Sequence, residues 1–337
     1  MSTIRSFIVM LATLLLLPMS IYGQERKLID AAKKEGGKVV VYGSIENDTM
    51  DLIGAALKKK TGLEIEFWRS SSTKVMDRVL NEMRTGKPIY DVVLTNSAPM
   101  EFMFNEGALA KYDSPSAKAF PQDVMHPNLG PQYRNSVIGI VYHAGIVKPA
   151  EAPKSLEDLL KPQYAGKLVI PDASQHTTTA QWMASLHKVM GGKDKADKFI
   201  RDLAATKPLL VESLTPAGER ITTGERPIGI AFLKNVVFYG KKGVPLDYVR
   251  LGKFMGDGQA VALSAKPPHP NAGKAFIDFF IGEDGLRIMA GIGEFVTRKG
   301  IYPPLPDADK IELVEMIDMD KKAYAEKMAE YRKIFLR

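Results

Sequence analysis

The 337-residue chain contains no cysteine. That absence excludes a disulfide scaffold, a thiolate metal site, an iron–sulfur cluster and a cysteine nucleophile. It also excludes a lipoprotein, whose anchor is attached to a cysteine. Histidine is scarce: His126, His143, His176, His187 and His269 are the five, and no two have the spacing of a zinc motif, so no metal site is expected. The G-x-S-x-G elbow, the G-x-x-x-x-G-K-[ST] phosphate loop and H-E-x-x-H are all missing. Nothing therefore marks an enzyme, and no cofactor is expected. Gly256-Asp257-Gly258 matches a dinucleotide loop only in part and reads as a turn between strands. Beyond residue 23 no apolar run is long enough to span a bilayer.

Neither sign of charge dominates. There are 46 Lys and Arg against 39 Asp and Glu, a net +7, of which the first 23 residues contribute only Arg5. The bases are interspersed with acids, and the longest basic run, Lys58-Lys59-Lys60, reads as a solvated helix face. Nucleic acid is not expected as a partner, because net charge alone is a weak argument about function. At roughly 150 residues per domain the length suggests about two domains. Hydrophobic residues at 45% and charged residues at 25% are those of an ordinary globular protein.

Residues 1–23 read as a cleavable secretory signal. Arg5 supplies the positive start. Phe7 to Leu17 is an apolar stretch of 11 residues, shorter than the roughly 20 a spanning helix needs. Pro18 then breaks the segment, with cleavage expected between Gly23 and Gln24. An uncleaved anchor is the alternative. The mature chain is expected to be soluble outside the cytoplasm, where lacking cysteine avoids unwanted disulfides.

The mature part alternates strand and helix signals. Lys38–Tyr42 is a short apolar run, a buried strand. Ile53, Ala56 and Leu57 have helical spacing, and Thr61-Gly62 ends that helix. Leu63, Ile65 and Phe67 alternate with Glu64 and Glu66 as a half-buried strand. Ser72 is placed to cap a helix striped by Val75, Met76, Val79, Leu80 and Met83. Asp91–Thr95 is the third strand, so this stretch is β-α-β-α-β with parallel strands and right-handed crossovers. A second α/β unit follows, with strands at 137–142, 167–170 and 228–232. Its helices run from about Thr178 to Met190, from Gly191-Gly192 to about Ala205, and from near Asn235. Residues 245–264 hold extended segments, and the tail reads as helices near 271–281, 284–290 and 308–333.

In open parallel sheets, ligands bind beyond the carboxyl ends of the strands. The loops there carry Ser44 and Asn47, then Arg69, Ser71 and Ser72, then Thr95 and Asn96. In the second unit they carry Ser174, His176, Thr177 and Thr178, then Lys234 and Asn235. Most of these loops run into a helix N-terminus, whose unpaired N–H groups and partial positive charge suit an anion. Each loop alone could equally be capping for stability. Arg69 and Lys234 could pair a carboxylate or phosphate, or be solvated charges. Trp68 and Tyr42 could stack a ring, or be core.

The chain resembles the extracellular solute-binding proteins of ABC importers, in the branch with ferric-iron, thiamine, sugar-phosphate and phosphonate receptors. The resemblance rests on VVVYGS at 39–44, KKTGLEIEF at 59–67, SSSTKVMDRVLNE at 70–82 and YDVVLTNS at 90–97. YAGKLVIPDAS at 164–174 and GERPIGIAFLKN at 224–235 continue it. The most specific piece is KPPHPNAGKAFIDFFIGEDGLRIMAGIGEF at 266–295. It implies an α/β, two-lobed, type 2 periplasmic-binding-protein fold. Each lobe would hold a mixed, mostly parallel sheet flanked by helices, with the ligand cleft between lobes. Residues 24–136 plus 262–302 would form lobe 1 and 137–261 plus 303–337 lobe 2, with crossing strands near 134–142 and 257–264. Hinge closure over the ligand would present the closed form to permease subunits in the inner membrane, with the receptor a monomer in the periplasm. Such hinge closure is a general property of periplasmic binding proteins.

Ferric receptors of this branch usually carry two adjacent tyrosines just after the segment that here reads IAFLKN. The sequence continues Val236-Val237-Phe238-Tyr239, so the pair is absent. Glu46 alone is insufficient for a hard cation. A small organic anion with a carboxylate, phosphate or phosphonate group is therefore the expected cargo. A ferric or metal-complex receptor, a secreted enzyme on a similar fold and a sensory input module are the alternatives.

Overall fold

The computed structural model describes residues 24–317 and 319–336, and the expected export signal lies outside them. Residues 24–34 are helical (α1). The strands β1 (Lys38–Gly43), β2 (Glu64–Arg69) and β3 (Val92–Asn96) follow, alternating with helices α2 (Asn47–Thr61) and α3 (Ser72–Arg84). β1 lies between β2 and β3 and is parallel to both. Apart from its first residue β1 is wholly buried, the pattern of a parallel strand covered on both faces. Gly62 ends α2 in the left-handed conformation at φ 81°, and its N–H donates to the Lys58 carbonyl at 2.8 Å. Glycine holds that conformation without steric penalty. After α4 (Ser97–Asn105) come three two-residue strands, β4 (Leu109–Ala110), β5 (Met125–His126) and β6 (Gly130–Pro131).

The next stretch contains β7 (Arg134–His143), β8 (Leu168–Pro171), β9 (Leu209–Val211), β10 (Ile228–Phe232), β11 (Leu246–Tyr248) and β12 (Lys253–Ser264). Its helices are α5 (Thr177–Ser185), α6 (Lys193–Ala205), α7 (Leu214–Thr222) and α8 (Lys234–Gly240). The sequence extends α5 to Met190. The structure ends it at Ser185 and continues as a 3-10 turn over Leu186–Lys188. Gly256-Asp257-Gly258, expected as a turn, lies inside β12, where Gly256 opposes Val137 and Gly258 opposes Asn135. The glycines read as a turn only because pairing with β7 is not visible locally.

The chain then forms α9 (Pro270–Phe280), α10 (Glu283–Gly291), β13 (Phe295–Val296), β14 (Glu312–Glu315) and α11 (Lys321–Phe335). The expected single helix over 308–333 is thus corrected to a strand and a shorter helix. Residues Glu312–Glu315 pair in parallel with Lys253–Gly256 of β12. Asp320 starts α11 afresh, its carboxylate accepting from the Ala323 N–H at 2.7 Å.

Two compact units result. The first takes the chain up to Gln132 together with Ala260–Leu286, and the second takes Tyr133–Gln259 together with residues from Arg287 onward. Residues 287–302, grouped with the first lobe in the sequence-based division, fall in the second unit, where β13 pairs with β7. The first unit's sheet runs β2-β1-β3-β12 and its core gathers Tyr42, Val79, Tyr90, Val93, Met100 and Met103. The second runs β12-β7-β10-β8-β9, with Ile140, Ile170, Trp182, Phe199 and Tyr331 in its largest cluster. In the first unit the carboxylate of Glu35 accepts from the backbone N–H groups of Asn271 at 2.9 Å and Ala272 at 3.1 Å, closing the open donors at the start of α9.

Candidate ligand-binding site

In the first unit, four of the expected site residues form one run of side-chain hydrogen bonds. Ser44 Oγ lies 2.8 Å from Thr95 Oγ1. Thr95 Oγ1 donates to Asn96 Oδ1 at 3.5 Å, and Ser72 donates to the same amide oxygen. The ends of β1 and β3 and the start of α3 are thereby tied together. The cap of α3 is Ser71, not Ser72: the Lys74 N–H donates to Ser71 Oγ at a long 3.5 Å. Ser72 occupies the first helical position, which frees its hydroxyl to reach β3. Ser97, not singled out from the sequence, opens α4 with a buried hydroxyl that has no hydrogen-bond partner. Asn47, the first residue of α2, and Arg69 are exposed and take no part in this run.

The second unit places Ser174, His176, Thr177 and Thr178 around the start of α5. Asp172 organises the loop. Its Oδ1 accepts from the Ser174 N–H at 2.8 Å, its Oδ2 from Gln175 Nε2 at 2.6 Å, and its carbonyl from the His176 N–H at 2.9 Å. Ser174 is only 8% exposed, and its Oγ is buried without a hydrogen-bond partner. A hydroxyl removed from water and left unpaired costs free energy, which a ligand oxygen would recover. His176 is the cap of α5: the Thr179 N–H donates to its Nδ1 at 3.3 Å. Burial pushes the His176 imidazole down to about pKa 4, so it is uncharged at neutral pH. Thr177 is exposed and Thr178 half-buried on the first turn.

Lys234 and Asn235 open α8 in the same unit. Lys234 Nζ donates to Glu294 Oε1 at 3.0 Å. The same carboxylate forms an ion pair with Arg134, and Glu294 and Arg134 are almost wholly buried. Arg134 also donates through Nη2 to Gln259 Oε1 at 2.8 Å. Lys234 is therefore part of an internal ion network, a role the sequence could not show. Asn235 is buried, and its Nδ2 has no hydrogen-bond partner. Gly218 on α7 makes room for it, since a Cβ there would sit 2.1 Å from that nitrogen.

The aromatic candidates belong to the core of the first unit. Tyr42 is buried, its ring 5.1 Å edge-on from that of Trp68, and the Arg78 guanidinium covers both rings at 4.3 Å. Tyr42 is not open for stacking, and Arg78 occupies one face of the half-buried Trp68 ring. On α8, Phe238 and Tyr239 are edge-to-face at 5.1 Å, and Lys242 Nζ lies 4.1 Å from the Phe238 ring. Burial raises the pKa of the Tyr239 phenol, which disfavours the phenolate that a ferric ion would need. Among the described residues no three His, Asp or Glu side chains are gathered as a metal ion would require.

The comparisons agree with the fold. The sequence profile of the bacterial extracellular solute-binding proteins matches residues 38–293. A probable ABC transporter periplasmic-binding protein of Sinorhizobium fredii is 24% identical over 266 residues, covering 74% of this chain and 70% of that protein. The periplasmic binding protein AfuA of Actinobacillus pleuropneumoniae, solved with fructose-6-phosphate, superposes with a TM-score of 0.68 at 20% identity, over 89% of this chain and 98% of its own. Iron-bound HitA of Pseudomonas aeruginosa gives 0.67 at 16% identity, with 89% and 98% covered. An ABC-transporter substrate-binding protein of Agrobacterium tumefaciens gives 0.75 at 13% identity, with 88% and 94% covered.

Proposed function

The chain belongs to the bacterial extracellular solute-binding proteins, and from that premise we propose that it is the periplasmic receptor of an ABC-type importer for a small organic anion. The cargo would carry a carboxylate, phosphate or phosphonate group. The observation that carries this reading is the buried, unpartnered Ser174 hydroxyl beside the start of α5, in a loop whose other donors are uncharged. Neutral donors and helix-start N–H groups hold an oxyanion without burying a fixed counter-charge. The Ser44–Thr95–Asn96–Ser72 run and the Ser97 hydroxyl would supply a second set of such groups. Capture would proceed by hinge closure of the two units and delivery to the permease, with the receptor exported by its first 23 residues, working as a monomer and performing no chemistry. The ferric alternative is weakened by the missing tyrosine pair and the raised pKa of the half-buried Tyr239 phenol.

The test is a thermal-shift panel on the purified mature protein, with organic phosphates, phosphonates, mono- and dicarboxylates, thiamine and ferric citrate. A ligand that binds only the folded state adds about 2.7 kcal/mol at a hundredfold excess over Kd. The expected result is a rise in melting temperature with one or more organic anions. A rise with ferric species alone would overturn the cargo class, and turnover of an ester without any shift would favour an enzyme.

A further inference from the structure

We propose that His176 is held as the uncharged Nε2–H tautomer and serves as a neutral donor that determines which anions the site accepts. The proposal rests on the anion-receptor reading above and deepens it.

The tautomer follows from geometry. His176 Nδ1 has two neighbours, the Thr179 backbone N–H at 3.3 Å and Thr179 Oγ1 at 2.7 Å. An N–H can only donate, so Nδ1 must accept from it and cannot itself carry a proton. The opposite tautomer would turn Nδ1–H toward a first-turn amide of α5 and leave that amide without an acceptor. The hydroxyl of Thr179 is free to rotate and donates to the same lone pair or elsewhere. In the uncharged ring the single proton then sits on Nε2, the nitrogen not used for capping. A cation here would also face the positive end of the helix. Two residues earlier, the buried Ser174 hydroxyl without a partner is the independent sign that this corner is built for a ligand.

The chemical consequence concerns selection. A protonated imidazole would add a charge that strengthens binding as pH falls and favours anions indiscriminately. A fixed Nε2–H donor adds direction without charge. It favours a cargo with an acceptor oxygen at one place, and any pH dependence of affinity above pH 5 must then come from the cargo's own ionisation.

Nitrogen-15 NMR of the ligand-free protein reads the tautomer directly. The expected spectrum assigns the His176 proton to Nε2, with no titration of the ring between pH 8 and pH 5. A proton on Nδ1, or an imidazolium forming near pH 6.5, would overturn the proposal. The donor role is read with His176→Asn, whose side-chain oxygen can still cap α5 but cannot place an N–H at the Nε2 position. Fructose 6-phosphate, methylphosphonate, citrate and inorganic phosphate are the probes. The variant should keep the ligand-free melting behaviour and bind the best probe at least about tenfold more weakly, roughly the value of one lost hydrogen bond. Unchanged affinity in a folded variant would overturn the donor role. If no probe binds the wild type, the anion reading itself fails and the donor role falls with it, even with the tautomer as expected.

Discussion

Asp91 and His269 lie 178 residues apart in the chain and are bonded twice: the His269 backbone N–H donates to Asp91 Oδ1 at 2.6 Å, and His269 Nδ1 lies 2.9 Å from Oδ2. The same Oδ2 also accepts from the Val40 N–H at 2.8 Å, and the carboxylate is fully buried. The start of β3, the middle of β1 and the turn before α9 are thereby pinned at one point in the first unit. Asp91→Ala should cost about 3 kcal/mol, because it leaves two backbone donors and the half-buried His269 ring nitrogen without an acceptor. Chemical denaturation checks this, and a loss below about 1 kcal/mol would mean that water replaces the carboxylate.

A second prediction concerns acid. His176 is uncharged when folded, with a pKa of about 4, against an ordinary value of 6.5. The unfolded chain therefore binds a proton before the folded chain does. The stabilisation this provides is complete above about pH 6.5 and is lost as pH falls toward 4, amounting to about 3 kcal/mol at most. Denaturant midpoints measured from pH 7 to pH 4.5 should fall for the wild type and fall less for His176→Asn.

The ion network in the second unit gives a third. Glu294→Gln removes the carboxylate shared by Arg134 and Lys234 and should destabilise the protein by about 3–5 kcal/mol, the usual effect of breaking a buried pair from one side. Lys234→Met should cost much less, because Lys234 retains contact with water and Arg134 still neutralises the carboxylate. Both variants are compared by thermal unfolding. Equal losses would show that Lys234, not Arg134, is the principal partner of Glu294.

Gly218→Ala is the fourth. The added methyl would lie 2.1 Å from Asn235 Nδ2, so the amide must turn or α7 must shift. A stability loss of about 1–3 kcal/mol is expected, the usual range for overpacking a core position. Asn235→Ala in the same background should recover part of it, because the clash goes with the amide. Thermal unfolding of the single and double variants decides.

Two loop hydroxyls give the fifth. Ser71→Ala should lower the stability of the ligand-free protein by no more than about 0.5 kcal/mol, since its capping bond is stretched to 3.5 Å. Combined with Thr178→Ala it should weaken binding of the best organic anion while leaving ligand-free melting nearly unchanged. A large loss of ligand-free stability would instead favour a structural, helix-end role for these hydroxyls.

Much of the fold was legible in the chain because its signals are local. The apolar run at Val39–Tyr42, the alternation Leu63–Phe67 and the Gly62 stop each state their own structure. Asp91 pairing with His269, Lys234 with Glu294, and Gly256 within β12 were not legible, because each depends on a partner far along the chain. The last turn of sequence misled for a related reason: Ile311, Val314 and Ile317 are spaced three apart, which suits a helix face, but β12 offered Leu313 and its neighbours an edge to pair with. For the candidate site, the loops were chosen by residue type, and the structure shows which of them are joined by hydrogen bonds. Ser44, Ser72, Thr95 and Asn96 are joined, Ser174 and His176 share one corner, and Asn47 and Arg69 stand apart. Ser97 and Asp172 carried a signal in their loops that residue type alone could not rank.

The division of the chain also constrains the order in which the protein can be made. The first unit's sheet is completed by residues 260–264, and its Asp91 waits for His269. A nascent chain halted anywhere before that point has β3 with an unpaired edge and a buried carboxylate without its partner. Synthesis from the amino end therefore cannot finish one half and then begin the other. The first unit stays open until more than three-quarters of the protein has been produced.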